Sequence, residues 1–187
     1  FSKKTKSILG FNNAIIQKTY FNFNIKIKKK NSIGFFFGAS DSMSLTLKTV
    51  KKLIKFDDLS FNYYFFLGTH NKDKKKILEL TKNHKNMKIY YSKNNNSEFF
   101  LKSTFVICTS GYFNLERIFF KTPATTVFIN DNQKKFGKFL FNNDLTKNNF
   151  SPSEYLKNLK KILIKKKNIL IKEKLNINYE ILGPKSY

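Results

Sequence analysis

From Ser32 onward the chain alternates short apolar runs with helical patterns, and the apolar runs lack regularly spaced polar residues. The first run, IGFFFG at 33–38, precedes LTLKTVKKLIKF, in which Leu47, Val50 and Ile54 recur at helical spacing. Strands without a polar face are typical of parallel sheets that helices cover on both faces. Right-handed crossovers between such strands produce a doubly wound α/β domain. The pattern therefore predicts a Rossmann-like α/β fold with a parallel sheet of about five strands.

The same pattern predicts the position of each element. Strands are expected over residues 33–38, 62–68, 87–91, 105–109 and 125–129. Helices are expected over residues 45–56, 73–83, 97–103, 112–120, 132–141 and 151–163. The chain thereby divides into an interdomain-like segment (1–31), an α/β domain (32–150) and a basic helical extension (151–187).

The last of these helices carries its own start signal. Ser151 suits the N-cap, Pro152 suits the first helical position, and Glu154 completes a capping box. The helix and the tail after it are basic and amphipathic. Contact with an anionic membrane is one interpretation, and packing of the apolar face on the sheet is the other.

The net charge of +24 invites a polyanion-binding interpretation. Arg117 is the only arginine, however, and base reading and bidentate phosphate contacts favour arginine over lysine. Lysines are spread along every polar face, and the abundance of Lys, Asn, Ile and Phe is what an AT-biased genome would encode. A solvated lysine surface is expected and a nucleic-acid partner is not. A basic module that binds RNA, supported by KKILIKKK at 160–167, is the alternative.

Other classes are limited by what the sequence lacks. Cys108 is the only cysteine, so a disulfide within the chain is impossible and a reducing compartment is expected. No run approaches the ~20 apolar residues that span a bilayer, which predicts a soluble, cytoplasmic protein. Neither G-x-G-x-x-G nor a P-loop occurs, and no cofactor or metal site is expected.

Two small-residue turns indicate where a ligand would bind. If the strand order is 3-2-1-4-5, the order reverses between the first and fourth strands, where ligands of open parallel sheets bind. GASD (38–41) and TSGY (109–112) follow these two strands, and each opens a helix whose first amides are expected to be unpaired. The pair predicts a phosphate-bearing ligand. Alternatively, Gly38 and Gly111 are ordinary turn residues.

Three stretches resemble one enzyme family. FFFGASDSMSLTLKTVKKL is similar to the FGGSDPxNLTLKxL stretch of the PseG-like UDP-sugar hydrolase of pseudaminic-acid biosynthesis. VICTSGYFNLERIFFKTPATTVFINDNQKKFGKFL resembles the family's IISAGSTxxELxxLGxPxIxIxxAxNQ block. LGFNNAIIQKTYF (9–21) resembles its GPxYAxLRxEF interdomain segment, so the resemblance covers residues 9 to 141. The family has the GT-B fold, in which two Rossmann-like domains hold the nucleotide-sugar between them.

The resemblance implies that this chain is the C-terminal, UDP-binding domain of a UDP-2,4-diacetamido-2,4,6-trideoxy-altropyranose hydrolase. The catalytic histidine of the family lies in the N-terminal domain, which would be a partner absent from this chain. His70 and His84 do not match it and are expected at the surface. No catalytic residue is therefore assigned, and the isolated chain is expected to be inactive. A glycosyltransferase of the GT-B type is a further alternative.

The resemblance also assigns site residues. Gly38, Ala39 and Ser40 would form the turn that approaches the diphosphate, and Ser110 and Gly111 the second phosphate turn. Tyr112 stands where the family carries Ser or Thr, and Ala39 replaces a glycine.

The remaining positions carry open alternatives. Glu116 matches the glutamate that accepts the ribose hydroxyls, although an acidic residue also suits a helix N-terminus. Asn132 and Gln133 match the NQ pair that faces the sugar-phosphate, although a polar helix start is the other interpretation.

Overall fold

Strands and helices alternate throughout the computed structural model, which describes residues 20, 31–57, 59–91 and 96–169. The strands are β1 (Ser32–Phe36), β2 (Asn62–Leu67), β3 (Met87–Tyr91), β4 (Phe105–Thr109), β5 (Ala124–Val127) and β6 (Asn149–Phe150). The helices are α1 (Leu45–Phe56), α2 (Lys74–Thr81), α3 (Ser97–Lys102), α4 (Phe113–Phe119), α5 (Asp131–Asn142) and α6 (Pro152–Ile169). The predicted segments 1–19 and 21–30 and the tail from 170 lie outside the described residues.

The six strands form one parallel sheet in the order β3-β2-β1-β4-β5-β6. The predicted doubly wound α/β fold is confirmed, as is the order of the first five strands. β6 is an addition, because a two-residue strand that contains Asn149 has no apolar run to reveal it. It pairs with β5 through Thr126 and Asn149 and through Val127 and Phe150.

The sheet separates two helical layers. One side of the central strands packs against α1, α2 and α6, with Phe35, Phe65 and Ile107 in this core. Val106 and Cys108 belong to the other core, against α3 and α4. Every residue of β4 is buried, since both faces of this strand are covered.

Helix α6 belongs to the first core even though the sequence assigned it to an extension. Tyr155 and Leu159 are fully buried there, and the Tyr155 hydroxyl lies 2.8 Å from Thr49 Oγ1 on α1. The predicted capping box is confirmed, because the Glu154 carboxylate accepts hydrogen bonds from the backbone and hydroxyl of Ser151 at 2.8 and 2.6 Å. Up to residue 163, the apolar face of this helix therefore packs against the sheet.

The expectation that lysines are spread over every polar face is wrong for the helices. The first layer carries Lys48, Lys51, Lys52 and Lys55 on α1, Lys74, Lys75 and Lys76 on α2, and Lys157, Lys160, Lys161 and Lys165 on α6. The helices of the second layer carry Lys102, Lys134, Lys135 and Lys138. A linear pattern of polar positions cannot reveal this difference, because the topology decides which helices share a layer.

Candidate nucleotide site

Strand order brings the two predicted turns to one edge of the sheet. β1 and β4 are hydrogen-bonded neighbours, with Phe36 paired to Cys108 near their carboxyl ends. Residues 37–44 continue from β1 and residues 110–112 from β4, while residues 128–130 continue from β5 beside them. All three loops therefore emerge where the order of the parallel strands reverses, which is where such sheets bind ligands.

The first turn is held by its backbone and by the loop after β2. Gly38 has a φ of 96°, which side-chain-bearing residues rarely adopt, and Ala39 and Ser40 are exposed. A Cβ on Gly68 would lie 2.3 Å from the Ala39 backbone, and the His70 amide donates to the Ala39 carbonyl at 3.2 Å. No local pattern in the sequence marks Gly68, because a close approach between two loops depends on the tertiary structure.

The first amides of α1 are occupied by a side chain of the protein itself. Asp41 is buried, and its two carboxylate oxygens accept hydrogen bonds from the amides of Leu45 and Thr46, both at 2.8 Å. The expectation that these amides are unpaired is therefore wrong. Asp41 reaches them because its backbone has a φ of 45° and turns back towards the helix. An anionic ligand at this turn would have to contact the loop rather than the start of α1.

The second turn is held from below by buried polar side chains. The side-chain amide of Asn114 donates to the carbonyls of Thr109 and Gly111, both at 2.9 Å. Its oxygen accepts a hydrogen bond from Arg117 Nε at 2.8 Å. The guanidinium also donates to the carbonyls of Thr122 and Leu145. Arg117 thus fixes the orientation of Asn114, which fixes the turn.

Arg117 and Cys108 carry the strongest electrostatic consequences of this burial. Arg117 is 1% exposed, and burial lowers its pKa to about 10, so the side chain remains charged at neutral pH. Burial raises the pKa of the Cys108 thiol to about 11, although the nearby guanidinium opposes the shift. Neither group is exposed to a ligand, and both belong to the support of the turn.

Ser110 lies inside the fold rather than on its surface. Its hydroxyl donates to Asn149 Oδ1 at 2.8 Å, and the Thr126 hydroxyl donates to the same oxygen at 3.0 Å. The side chain predicted to contact phosphate is thus used to join β4 to β6. A contribution of Ser110 to ligand binding would therefore come from its place in the turn and not from a free hydroxyl.

Gly111 differs from Gly38 in having no conformational need for glycine. Its φ lies outside the positive region, and an added Cβ would meet nothing within 4 Å. The space above this backbone is open at the sheet edge. The next residue, Tyr112, is 56% exposed and lies at the start of α4.

Glu116 is half-buried one turn further along α4. Burial raises the pKa of its carboxyl, and the Tyr20 hydroxyl and Asn96 oppose that rise. The Tyr20 ring packs against Phe119 and Phe120, with centroid separations of 6.2 and 5.0 Å. The Tyr20 hydroxyl is buried and interacts electrostatically with the Glu116 carboxyl, and among the described residues it completes no hydrogen bond of standard geometry. The pKa of the Tyr20 hydroxyl is raised mainly by burial and, to a smaller extent, by the charge of Glu116.

The two residues of the predicted NQ pair have different environments. The Asn130 side chain caps α5 by accepting from the Gln133 amide at 2.9 Å, and Gln133 Oε1 accepts from the Ile129 amide at 3.2 Å. Asn132 is exposed. The amide oxygen of Gln133 thus stabilises the helix start, as the alternative interpretation of this pair expected.

The histidines lie at the surface, as expected. His70 is exposed beside the first turn, and His84 is partly exposed at the opposite edge of the sheet. There it lines a surface groove of about 670 Å³ between α2 and β3, away from the two turns. Within the described part of the chain, no cluster of three His, Cys, Asp or Glu side chains could hold a metal ion. The described helices include none with the length and apolarity required to cross a membrane.

Comparison with known proteins supports the fold. No protein-family model and no curated protein sequence matches the chain. The structure is similar to MurG from Acinetobacter baumannii, with a TM-score of 0.53 and 17% identity over 74% of this chain and 42% of that protein. It is also similar to UDP-GlcNAc 2-epimerase from Neisseria meningitidis bound to UDP-GlcNAc, with a TM-score of 0.57 and 14% identity over 83% of this chain and 41% of that protein.

Both likenesses concern the fold, and this chain spans about two fifths of either protein. The resemblance to the UDP-sugar hydrolase remains a prediction, as do the assigned site residues.

Proposed function

We propose that this chain is the UDP-binding half of a UDP-sugar hydrolase similar to the PseG-like family. The nucleotide would lie over the turns after β1 and β4, with the diphosphate near residues 38–40 and 110–112. A second α/β half would supply the catalytic group and most sugar contacts. The bound UDP-GlcNAc of the epimerase is consistent with a nucleotide-sugar on this type of fold.

The observation that carries the proposal is the open space beside Gly111, at the sheet edge where the order of the strands reverses. Gly38 is explained by its φ of 96°, but neither φ nor a neighbouring atom explains Gly111. A glycine that the fold does not need, above an open space at a ligand-binding edge, is suited to the close approach of a phosphate to the backbone. The buried pair of Asn114 and Arg117 keeps that backbone in place.

The ribose would be held from the side of α4. A carboxylate can accept hydrogen bonds from both hydroxyls of a vicinal diol, and Glu116 is the carboxylate on α4 closest to the turn in sequence. Its contacts with Tyr20 and Asn96 would have to be shared with, or exchanged for, the ribose hydroxyls. Gln133 would help by keeping the start of α5 in place, and Asn132 would be free to turn towards the sugar-phosphate.

Gly111→Ala separates the ligand role from the fold. The protein should fold with unchanged or slightly greater stability, by up to about 1 kcal/mol, because alanine restricts the unfolded chain. UDP affinity should fall at least about tenfold, or ~1.4 kcal/mol, because the Cβ would occupy the phosphate space. Calorimetric titration with UDP and urea denaturation measure the two effects. Unchanged affinity in a stable variant would exclude this backbone as a phosphate contact.

Glu116→Ala tests the ribose contact. Loss of charge-assisted hydrogen bonds should weaken UDP binding by about 1.5–3 kcal/mol, roughly ten- to a hundredfold. The same substitution should weaken the binding of 2′-deoxy-UDP much less, because this ligand lacks one of the two ribose hydroxyls. Glu116→Gln keeps one acceptor oxygen and should lie between the wild type and the alanine variant. Equal losses for both ligands would mean that Glu116 acts on the helix and not on the ribose.

The titration of Glu116 predicts a pH dependence of binding. Burial raises the pKa of this carboxyl, and only its ionised form accepts from both hydroxyls. UDP affinity should therefore fall as the pH decreases through the raised pKa, at a higher pH than for an exposed glutamate. The titration of the phosphate itself is removed by comparing the wild type with Glu116→Gln at each pH. Parallel pH profiles for the two proteins would contradict the assignment.

Catalysis is expected only with the other half. The isolated chain should bind UDP but release none from a UDP-sugar, because a proton-transfer group typically contributes about 10²–10⁴-fold to rate and none is assigned here. A coupled assay for UDP release is the measurement. Turnover by the isolated chain would place catalytic residues within these 187 residues and overturn the division of roles.

A further inference from the structure

One helical layer of this protein is far more basic than the other. Helices α2 and α6 both contact α1, so the three helices cover one face of the sheet. Their lysines, which we call the lysine layer, are Lys48, Lys51, Lys52, Lys55, Lys74, Lys75, Lys76, Lys157, Lys160, Lys161 and Lys165. The only acidic residues on these helices are Glu79 and Glu154.

Composition alone does not account for the asymmetry. A genome biased towards lysine codons would affect both layers alike, yet the four lysines and Arg117 of α3, α4 and α5 are accompanied by three carboxylates, those of Glu98, Glu116 and Asp131. In the described part of the chain the ion pair found is Lys102 with Glu98, at 2.6 Å on α3. The lysine layer therefore presents positive charge, and no described carboxylate forms an ion pair with it.

The lysines also follow the exposed side of the central helix. Lys48, Lys51, Lys52 and Lys55 recur at the spacing of one helical face, while Val50 and Leu53 are buried on the other face. The exposed side of α1 is thus a stripe of cations flanked by the lysines of α2 and α6. Such a continuous array raises the local potential more than scattered charges do.

The burial of the apolar faces indicates which polyanion fits. Membrane-surface helices insert an apolar face between the headgroups, but the apolar faces of α1, α2 and α6 are packed in the core. Among the described side chains of these helices, Ile164, 55% exposed, is the large apolar residue that faces solvent. The surface can therefore make charge contacts over a broad area but can insert very little into a lipid layer.

We infer that the lysine layer binds the phosphate backbone of a nucleic acid without reading its bases. Lysine ammonium groups are compact charges that contact phosphates, whereas base recognition relies on arginine and amide side chains. The one arginine of the chain is buried beneath the second turn and is not available for it. This inference does not depend on the proposed UDP site, which lies at the carboxyl edge of the sheet.

Two matched triple variants test the inference in the full chain. Lys51→Gln/Lys55→Gln/Lys161→Gln removes three charges from the lysine layer, and Lys134→Gln/Lys135→Gln/Lys138→Gln removes three from α5 on the other layer. All six lysines are exposed, and glutamine has a similar helix propensity. Binding to a 20-nucleotide single-stranded RNA and to a 20-base-pair DNA duplex is measured by fluorescence anisotropy between 50 and 200 mM salt. Circular dichroism and thermal denaturation verify that both variants keep their fold.

The first variant should lose roughly ten- to a hundredfold in RNA affinity near 0.1 M salt. The slope of the logarithm of its affinity against the logarithm of the salt concentration should become shallower by about 2. The α5 variant should change by less than about threefold. A preference for RNA or for DNA would identify which nucleic acid supplies the backbone. Equal losses in both variants would mean that net charge alone attracts the polyanion, and this would overturn the inference. So would an absence of binding to either nucleic acid, or tighter binding to phosphatidylserine vesicles than to both.

Discussion

At the scale of single residues, Arg117 shows why one arginine persists in a lysine-rich chain. Its planar guanidinium donates to Asn114 Oδ1 and to the carbonyls of Thr122 and Leu145, all in a buried site. An ammonium group cannot reach three acceptors in these directions. Arg117→Lys should lower the free energy of unfolding by about 2–4 kcal/mol, because buried acceptors lose their donors. Urea denaturation followed by circular dichroism measures this loss.

The reverse exchange Lys135→Arg, at an exposed position, should change stability by less than about 0.5 kcal/mol. Similar stability of the Arg117→Lys protein and the wild type would mean that the fork geometry is not required.

At the scale of elements, the start of α1 depends on one carboxylate. Asp41 accepts from the amides of Leu45 and Thr46 and has a left-handed backbone. Asp41→Ala should lower the free energy of unfolding by about 1–2 kcal/mol, because it removes the cap and places alanine at a positive φ. Asp41→Asn should cost less, since asparagine keeps one acceptor and tolerates this conformation. Thermal denaturation of the wild type and the two variants ranks the three proteins by stability. If asparagine were as damaging as alanine, the negative charge rather than the hydrogen bonds would stabilise the helix start.

At the scale of the whole molecule, Cys108 reports on global opening. The residue lies in β4, between both helical layers, and burial raises its thiol pKa to about 11. Native protein at pH 8 should react with a disulfide reagent at least about a thousandfold more slowly than protein in urea, because the thiol is exposed only when a layer is lost. Ser42→Cys adds an exposed thiol directly after the first turn, and this thiol should react rapidly in the same protein. Rapid reaction of Cys108 itself would indicate that one layer detaches without global unfolding.

Local sequence patterns were sufficient for most of the fold. The apolar runs and helical spacings give the first five strands and the first five helices within a few residues, and the capping box of Ser151 and Glu154 marks the start of α6, which extends past its expected end at residue 163 to Ile169. These features can be read locally, because strand burial and helix caps depend on neighbouring residues. The two-residue β6 has no such signal and was missed.

The candidate site was only partly predictable for the same reason. The position of the turns followed from the strand order, but the partners of individual side chains did not. Ser110 bonds to Asn149 and Asp41 occupies the start of α1 because distant or returning segments meet there, and Gly68 is needed because Ala39 passes beside it. Ser110, whose turn was expected to approach phosphate, thus has a hydroxyl that is used within the fold.

The sequence by itself determined the parallel α/β architecture and the position of the two turns. It could do so because periodicity, glycine placement and helix caps act over a few residues. Only the tertiary structure decided that α6 joins α1 and α2, that lysines accumulate on that layer, and that Gly111 lies under open space while Gly38 is fixed by its own backbone. These properties depend on which elements the crossovers place side by side, and contacts between distant segments leave no periodic trace in the chain.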